Sequence, residues 1–404
     1  MPATSVFVMR LAGIYIVGAK RTPFGAMGGK LKDFTPTQLA VIASKAALDS
    51  AGVKPENVDV CIAGIINQVA AKDSPYCSRN TALQCVLPQH TPCLNVNPDV
   101  RIWNALPFCI LQEILLGNAE IALTVGTENM SMSPFIVRDA RFGIKFGMQP
   151  EVGFSPISPC PWLQRCLHLA LSRCGSLYPL KSSTKSKLRV SVLRPNRRVC
   201  AQEAGRFKEE MVPIPVKVKG KEVMFDTDEH PRPGTTMETL AKLPALFKKD
   251  GTVTAGNASG ICDGAGAILI AGEEAVKKHN LKPLARIVGY SYVGVDPTIM
   301  GIGPAPAIRK LCDKTGVKVQ DLDLVDVNEA FASQFLAVER DLQLDPAKSN
   351  VNGGAIALGH PVGASGARIL ANLTYELRDR KGKYAVGSAC IGGGQGIAVM
   401  LESV

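Results

Sequence analysis

Ala51-Gly-Val-Lys-Pro-Glu-Asn-Val-Asp-Val60 and Thr315-Gly-Val-Lys-Val-Gln-Asp-Leu-Asp-Leu324 are two versions of one phrase within a chain of 404 residues. Each closes a predicted helix on a glycine and then enters an apolar strand. In the first copy the helix is Pro36–Ala51, with Thr35 at the N-cap, Pro36 at the first helical position and Gly52 just past the end. The strand that follows, Val58–Ile66, is a near-continuous apolar run of the buried parallel kind. A shared helix-to-strand context in two distant places argues for a duplicated α/β half. A chance match of ten residues is the bland alternative, and the common context weighs against it.

Outward from these phrases the same alternation continues. Ile14–Ala19 and Glu120–Gly126 read as strands around a helix at Phe108–Ala119. In the C-terminal half Ala265–Ala271, Ala285–Tyr290, Asp323–Val327 and Gly396–Leu401 read as strands, with helices near Ala305–Thr315, Glu329–Leu342 and Ser365–Arg378. Between the halves, over roughly 120–250, the pattern dissolves into Pro-, Lys- and Asp-containing stretches, an inserted loop region of the kind that contacts ligands. The expected organisation is therefore residues 1–119 as the first part of the N-terminal half and 120–250 as a strand end plus loop region. Residues 251–274 return to the N-terminal half, and 275–404 form the C-terminal half.

The chain carries 46 Lys+Arg against 35 Asp+Glu, a formal charge of +11, which invites a nucleic-acid reading. The location of the charge removes that reading. Between Glu151 and Glu203 there is no acid, while nine basic residues occur; without 152–202 the balance is 37 to 35. The segment holds only Phe154, Trp162 and Tyr178 as aromatics and no recognisable binding motif, so nucleic acid is not expected as a partner. No run of eighteen apolar residues exists, so no membrane span is expected. The twelve cysteines form no CxxC pair, which favours reduced thiols over disulfides or a zinc cluster, and no metal is expected. The first 32 residues hold five basic residues and no acid, a composition compatible with import into mitochondria.

Three C-terminal stretches carry chemistry. Asn352-Gly-Gly-Ala-Ile-Ala-Leu-Gly-His-Pro-Val-Gly-Ala-Ser-Gly366 frames His360 between Gly359 and Pro361, where the backbone is constrained and the imidazole points in a fixed direction. Ser388-Ala-Cys-Ile-Gly-Gly-Gly-Gln-Gly396 places Cys390 before glycines whose amides can form an oxyanion site. Val327-Asn-Glu-Ala-Phe-Ala332 puts Asn328 at the end of a buried strand that opens a helix, where open α/β sheets bind ligands. Singly, each has a bland reading: a structural histidine, an inert buried cysteine, an N-cap asparagine. Together they favour carbonyl chemistry.

The phrases Asn328-Glu-Ala-Phe, Gly359-His-Pro and Cys390-Ile-Gly-Gly-Gly-Gln-Gly resemble the three C-terminal signatures of the thiolase family. Ala19-Lys-Arg-Thr-Pro-Phe-Gly25, Asp228–Pro233, Lys248–Gly260 and Gly301–Pro304 look like the degradative 3-ketoacyl-CoA branch of the mitochondrial matrix. The resemblance covers about 14–97, 113–150 and 204–404. It implies a thiolase fold, two similar α/β halves packed in layers plus an inserted loop domain, assembled as homodimers or homotetramers. It implies reversible Claisen cleavage: a thiolate takes the acyl group of a 3-ketoacyl-CoA, acetyl-CoA leaves, and a second coenzyme A removes the acyl chain. Coenzyme A is then a substrate, with no permanently bound cofactor. Carried over by motif, His360 activates the nucleophile, Cys390 shuttles the α-proton and Asn328 positions an oxyanion-hole water. The Gly392 amide contributes to the second oxyanion site, and Ser259 lies against the pantetheine of CoA.

Two windows depart from the family. Its nucleophile sits in a Cys-Gly-Ser-Gly phrase twelve residues before the Gln of a Gln-Glu pair, here Gln112-Glu113, and that position is Val100, in Val100-Arg-Ile-Trp103. Valine forms no thioester. Cys109, expected in the first turn of the helix after Pro107 where the helix dipole lowers a thiol pKa, is nine residues away and an improbable substitute. The second window, 152–202, replaces an acid-rich helical stretch with Ser, Arg, Pro, Cys and Leu without helical period. A shift of reading frame is the hypothesis that covers both. Cys-Gly-Ser-Gly encoded as TGT-GGA-TCT-GGC after a codon ending in G reads, one base early, as Val-Trp-Ile-Trp, a single T-to-C change from Val-Arg-Ile-Trp. The expected activity is therefore a thiolase-family transfer, impaired at the nucleophile; the alternative is a non-catalytic protein of the same fold that binds CoA esters or assembles with active subunits.

Overall fold

The computed structural model describes residues 13–96, 102–137, 140–144, 152–154, 184–247 and 251–404. The duplicated phrase folds twice in the same way. Helix Pro36–Ala51 ends on Gly52 in the left-handed conformation (φ 64°), a short 3-10 turn Pro55–Asn57 follows, and strand Val60–Gly64 begins. Helix Pro304–Thr315 ends on Gly316 (φ 72°), followed by the 3-10 turn Val319–Asp321 and strand Leu324–Val327. A residue with a Cβ at either glycine would incur the left-handed penalty. At the start of the first helix, the Thr35 hydroxyl accepts from the Gln38 amide at 3.2 Å, and the Gln38 side chain accepts from Thr35 N at 2.8 Å, a complete capping box.

The strands join edge to edge in one mixed sheet whose halves mirror each other. From the middle outward, Ile14–Arg21 pairs antiparallel with Cys262–Gly272, which pairs antiparallel with Ile121–Asn129, which pairs parallel with Val60–Gly64 and then Cys93–Val96. In the other direction Ala285–Gly294 pairs antiparallel with Gln395–Glu402, which pairs antiparallel with Tyr384–Ile391, which pairs parallel with Leu324–Val327. The two series meet where Tyr15 and Ile16 face Arg286 and Ala285.

Side-chain alternation sorts the core into layers. Ile397, Val399 and Leu401 face a central layer shared with Ile268, Ile270 and the buried helix Ser365–Asp379, while Ala398 and Met400 face outward under helix Pro304–Thr315. Leu269 and Ala271 likewise face outward toward Leu39, Ala43 and Ala47 of helix Pro36–Ala51. Helices thus cover both outer faces and fill the space between the two half-sheets, the arrangement parallel segments require.

Three expectations need correction. The helix placed at Phe108–Ala119 spans Ile102–Leu115, with Pro107 inside it, so Cys109 lies in its second turn rather than its first. There it packs partly buried against the central core, and burial together with Glu113 raises its thiol pKa instead of lowering it. The helix placed at Glu329–Leu342 begins at Ala332, with Phe331 as its N-cap; Asn328 does not cap it. The loop reading of 152–202 fails over its second part, where Thr184–Glu203 is a helix of 20 residues. Strand Tyr384–Ile391, which carries Cys390, had no counterpart in the sequence reading.

The basic helix docks through its charges. Arg194 Nε lies 2.6 Å from Glu329 Oε1, with both side chains buried, and the guanidinium stacks 4.4 Å from the Phe335 ring centre. Arg198 pairs with Asp228, itself paired with Arg21 at 2.8 Å, and stacks on Phe207. Against the burial that would raise it, the two guanidinium groups hold the Asp228 carboxyl down at about 2. Arg197 donates to the Ser349 carbonyl at 2.8 Å. The surplus of basic residues that had marked the segment as foreign is, in this helix, the means of its attachment.

Candidate active site

Loops at the ends of the strands enclose a cavity of about 820 Å³, with largely apolar walls. Its floor holds His360, Ser259, Gly392 and Gly393; Leu240, Leu243 and Phe247 form one wall, and Ser191 and Pro195 of the basic helix another. Proline at 195 cannot supply the amide that the Ser191 carbonyl would accept in a regular helix.

His360 is held on both ring nitrogens. Gly359 adopts φ 92°, and a Cβ there would come 2.5 Å from the Cys262 sulfur, so the residue before the histidine is glycine for two reasons. The His360 amide donates to the Gly260 carbonyl at 2.9 Å. Nδ1 lies 2.6 Å from Ser365 Oγ, which donates its own proton to the Pro361 carbonyl at 3.0 Å, so Nδ1 carries hydrogen and Nε2 does not. Asn328 Nδ2 donates to Nε2 from 3.3 Å. Burial, helped by the nearby Arg368 guanidinium, brings the imidazole pKa down to about 4. A neutral ring whose unprotonated Nε2 is engaged only by the long 3.3 Å bond from Asn328 can exchange that donor for a thiol proton and afterwards donate the proton to a developing oxyanion.

Asn328 begins where its strand ends: its amide donates to the Ser388 carbonyl at 2.8 Å, which ties it to the strand that carries Cys390. Its Oδ1 is buried with no hydrogen-bond partner among the described residues, which leaves it able to accept from a polar guest. Cys390 is 3 % exposed and is the penultimate residue of strand Tyr384–Ile391, two residues before Gly392 in the turn that follows. Ser259 donates its amide to the Ala330 carbonyl at 3.0 Å, and Ala258 bridges Phe331, so the phrase Asn257–Gly260 lies along the Asn328–Phe331 segment. His360, Gly392 and Ser259 therefore line one cavity, and Asn328 reaches it only through its hydrogen bond to His360. Cys390 sits just behind it, and Cys109 is not part of its wall. Val100 lies outside the described residues.

Sequence reasoning missed two residues here. His230, within the Asp228–Pro233 phrase, lines the cavity with Nδ1 3.0 Å from the Ala357 carbonyl and its ring over Gly260, where any Cβ would collide. Glu128, deep in strand Ile121–Asn129, accepts from Ile66 N, Asn67 N and Gly363 N at 2.9 to 3.1 Å and so joins the loops on both sides of the site. Its pKa is pushed up to about 7 by burial, against those three donors. Neither had a signal in spacing; both are visible only once the loops converge.

Models of known families match nearly the whole chain: the thiolase N-terminal domain over residues 14–274 and the thiolase C-terminal domain over 281–403. The chain belongs to the thiolase family. It is 51% identical over 396 residues to the bovine mitochondrial 3-ketoacyl-CoA thiolase, covering 97% of this chain and 99% of that thiolase. It is 40% identical over 404 residues to the acetyl-CoA acetyltransferase of Syntrophomonas wolfei. Among solved thiolases, the human mitochondrial 3-ketoacyl-CoA enzyme superposes with a TM-score of 0.91 at 51% identity, covering 97% of this chain and 99% of that one. The same human thiolase in complex with CoA gives a TM-score of 0.93 at 49% identity, covering 98% and 100%. Among the described residues no helix of this thiolase is long and apolar enough to cross a membrane.

Proposed function

We propose that the chain is a 3-ketoacyl-CoA thiolase of fatty-acid β-oxidation by descent, which retains the binding cavity and proton-transfer groups but has lost thiolysis at the nucleophile. The observation that carries this reading is the pairing of an assembled His360–Asn328–Ser365 relay with Val100 at the position of the attacking cysteine. In this reading a CoA thioester lies along Ser259, with a carbonyl oxygen held by His360 and a water on Asn328, while the Gly392 amide contributes to the second oxyanion site and Cys390 serves the α-carbon. Without a thiolate to accept the acyl group, these groups bind the ester and stop there. Coenzyme A is substrate, and the assembly is a homodimer or homotetramer in the mitochondrial matrix; the names of the relatives support the mitochondrial location alone.

Steady-state thiolysis of a medium-chain 3-ketoacyl-CoA tests this directly. No turnover is expected from the chain as it stands, and turnover is expected to return when Val100-Arg-Ile-Trp103 is replaced by Cys-Gly-Ser-Gly. Activity at the level of an ordinary thiolase in the unaltered chain refutes the reading. Its loss in Cys109→Ala would then identify a relocated nucleophile. Retention of CoA esters without turnover after the replacement favours the second reading, a non-catalytic binding or assembly subunit.

A further inference from the structure

Four cysteines lie together beneath helix Pro36–Ala51, on the face of the N-terminal half-sheet remote from the central helices: Cys61, Cys77, Cys85 and Cys93. None lines the cavity. Two of them are direct neighbours. Cys61 and Cys93 are register partners on adjacent parallel strands, and both side chains enter the same apolar cluster, so they stand on one face of the sheet. Neighbouring strands lie about 4.8 Å apart, inside the Cα separation of roughly 4.4–6.8 Å that a disulfide spans. Both thiols are free of disulfides in the structure.

Their surroundings differ in a useful way. Cys61 is fully buried, and its sulfur lies 3.6 Å from the Ser78 carbonyl. Cys93 is only partly buried, on the edge strand Cys93–Val96. Arg79 reaches it from helix Cys77–Gln84: its guanidinium donates to the Gln89 carbonyl at 2.8 Å and the Thr91 carbonyl at 3.1 Å, and its Nη1 lies 3.9 Å from the Cys93 sulfur. Two backbone acceptors thus fix a cation against one thiol. The hydrogen bond from Cys61, and then the Arg79 charge, pull the Cys93 thiol down, while the hydrogen bond to Cys93 and burial push Cys61 up. Cys93 is thus the more acidic and less buried of the two thiols, and Cys61 the less acidic and fully buried one. The other two thiols, Cys77 and Cys85, are both raised to about 12 by burial.

We infer that Cys93 and Cys61 form a peroxide-sensitive dithiol, with Cys93 as the oxidised thiolate and Cys61 as the resolving thiol. The Cys93 thiolate attacks a hydroperoxide; an S–O bond forms, the O–O bond breaks, and the alkoxide or hydroxide leaves and takes a proton from water. The Cys61 sulfur then attacks the Cys93 sulfenic acid. The S–S bond forms, the S–O bond breaks, and the Cys61 proton departs with the hydroxide as water. Two thiols and one hydroperoxide become one disulfide, one alcohol or water, and one water. This inference does not depend on the proposed activity.

The full reduced chain treated with stoichiometric hydrogen peroxide near neutral pH provides the test. Its mass is expected to fall by two hydrogens, and trypsin is expected to yield residues 46–72 joined to 80–101. The joined pair is expected to survive in Cys85→Ala and vanish in Cys93→Ala. In Cys61→Ala, dimedone is expected to trap a sulfenic acid on Cys93. Arg79→Met is expected to slow iodoacetamide labelling of Cys93 about tenfold, one pKa unit's worth. Labelling of the exposed Cys200 ahead of Cys93, or a wild-type link that avoids Cys61 or Cys93, overturns the inference without bearing on thiolysis.

Discussion

Arg194→Met removes the one cation that, among the described residues, pairs with the buried Glu329 carboxylate, while keeping most of the side-chain volume over Phe335. The pair is 2% and 0% exposed, so the carboxylate is left without compensation except for the Asn350 side chain at 2.8 Å and the Ile356 amide at 3.4 Å. Breaking a buried pair from one side costs about 3–5 kcal/mol. The loss has a second signature in pH. Burial already holds the Glu329 pKa above that of an ordinary carboxylate, and Arg194 is what opposes it. Without Arg194 the folded-state pKa rises further, so the folded variant binds more protons than the unfolded chain, and its stability falls as pH rises through that higher value. Urea unfolding of the wild type, Arg194→Met, Glu329→Gln and the double variant, near pH 5 and near pH 8, measures both effects. The expected result is a cost of about 3–5 kcal/mol at the higher pH, a smaller one at the lower, and partial recovery in the double variant. A single-variant cost within about 0.5 kcal/mol of zero, or one that does not change with pH, refutes the docking of helix Thr184–Glu203 through this pair.

The folded pKa of His360, about 4, lies below its ordinary value of 6.5. The stability difference between wild type and His360→Asn is therefore expected to grow by up to roughly 3 kcal/mol as pH rises from about 4 to 6.5; a flat difference in urea titrations rules it out. Glu128 behaves oppositely, since its pKa is raised from 4.5 to about 7. Its contribution is full below about pH 4.5 and lost as pH rises through 7, and Glu128→Gln is expected to abolish that decline, read as melting temperature against pH. The transcript, shifted by one base over codons 99–110 and 152–202, is expected to encode a glycine-rich cysteine phrase and an acid-rich helix; shifted frames that encode neither dispose of the frame-shift reading.

What was legible in the sequence was local. Helix Pro36–Ala51 is specified by its own cap, proline and closing glycine, and the duplicated phrase repeats that punctuation at Gly316. His360 and Asn328 were legible because glycine and proline around them serve no plain loop. What was hidden depended on distant partners. Strand Tyr384–Ile391 holds Gly387, Ser388, Ala389 and Cys390, small residues of weak strand preference that only neighbouring strands and helices place in the core. The helix Thr184–Glu203 does have a helical period: its buried positions are Lys187, Val190, Ser191, Arg194, Pro195, Arg198 and Ala201. Five of the seven are polar, basic or proline, so hydropathy cannot show the stripe, and its meaning lies in Asp228, Glu329 and the Ser349 carbonyl, far along the chain. Pro107 concealed the start of helix Ile102–Leu115 in the same manner, because proline ordinarily marks a boundary.

The central layer carries a consequence for how the chain unfolds. Helix Ser365–Asp379 is buried along almost its whole length between strands of both halves, and the first strands of the halves meet across a local two-fold at Tyr15–Ile16 and Ala285–Arg286. A single half, taken alone, would present that helix and strand edge to water as an oily, self-complementary surface. Such a surface is one that a second copy of the same half would satisfy, which is what the other half of the chain does here. It also makes the two halves thermodynamic dependants: neither keeps its core dry once the other has melted, and they are expected to unfold as one.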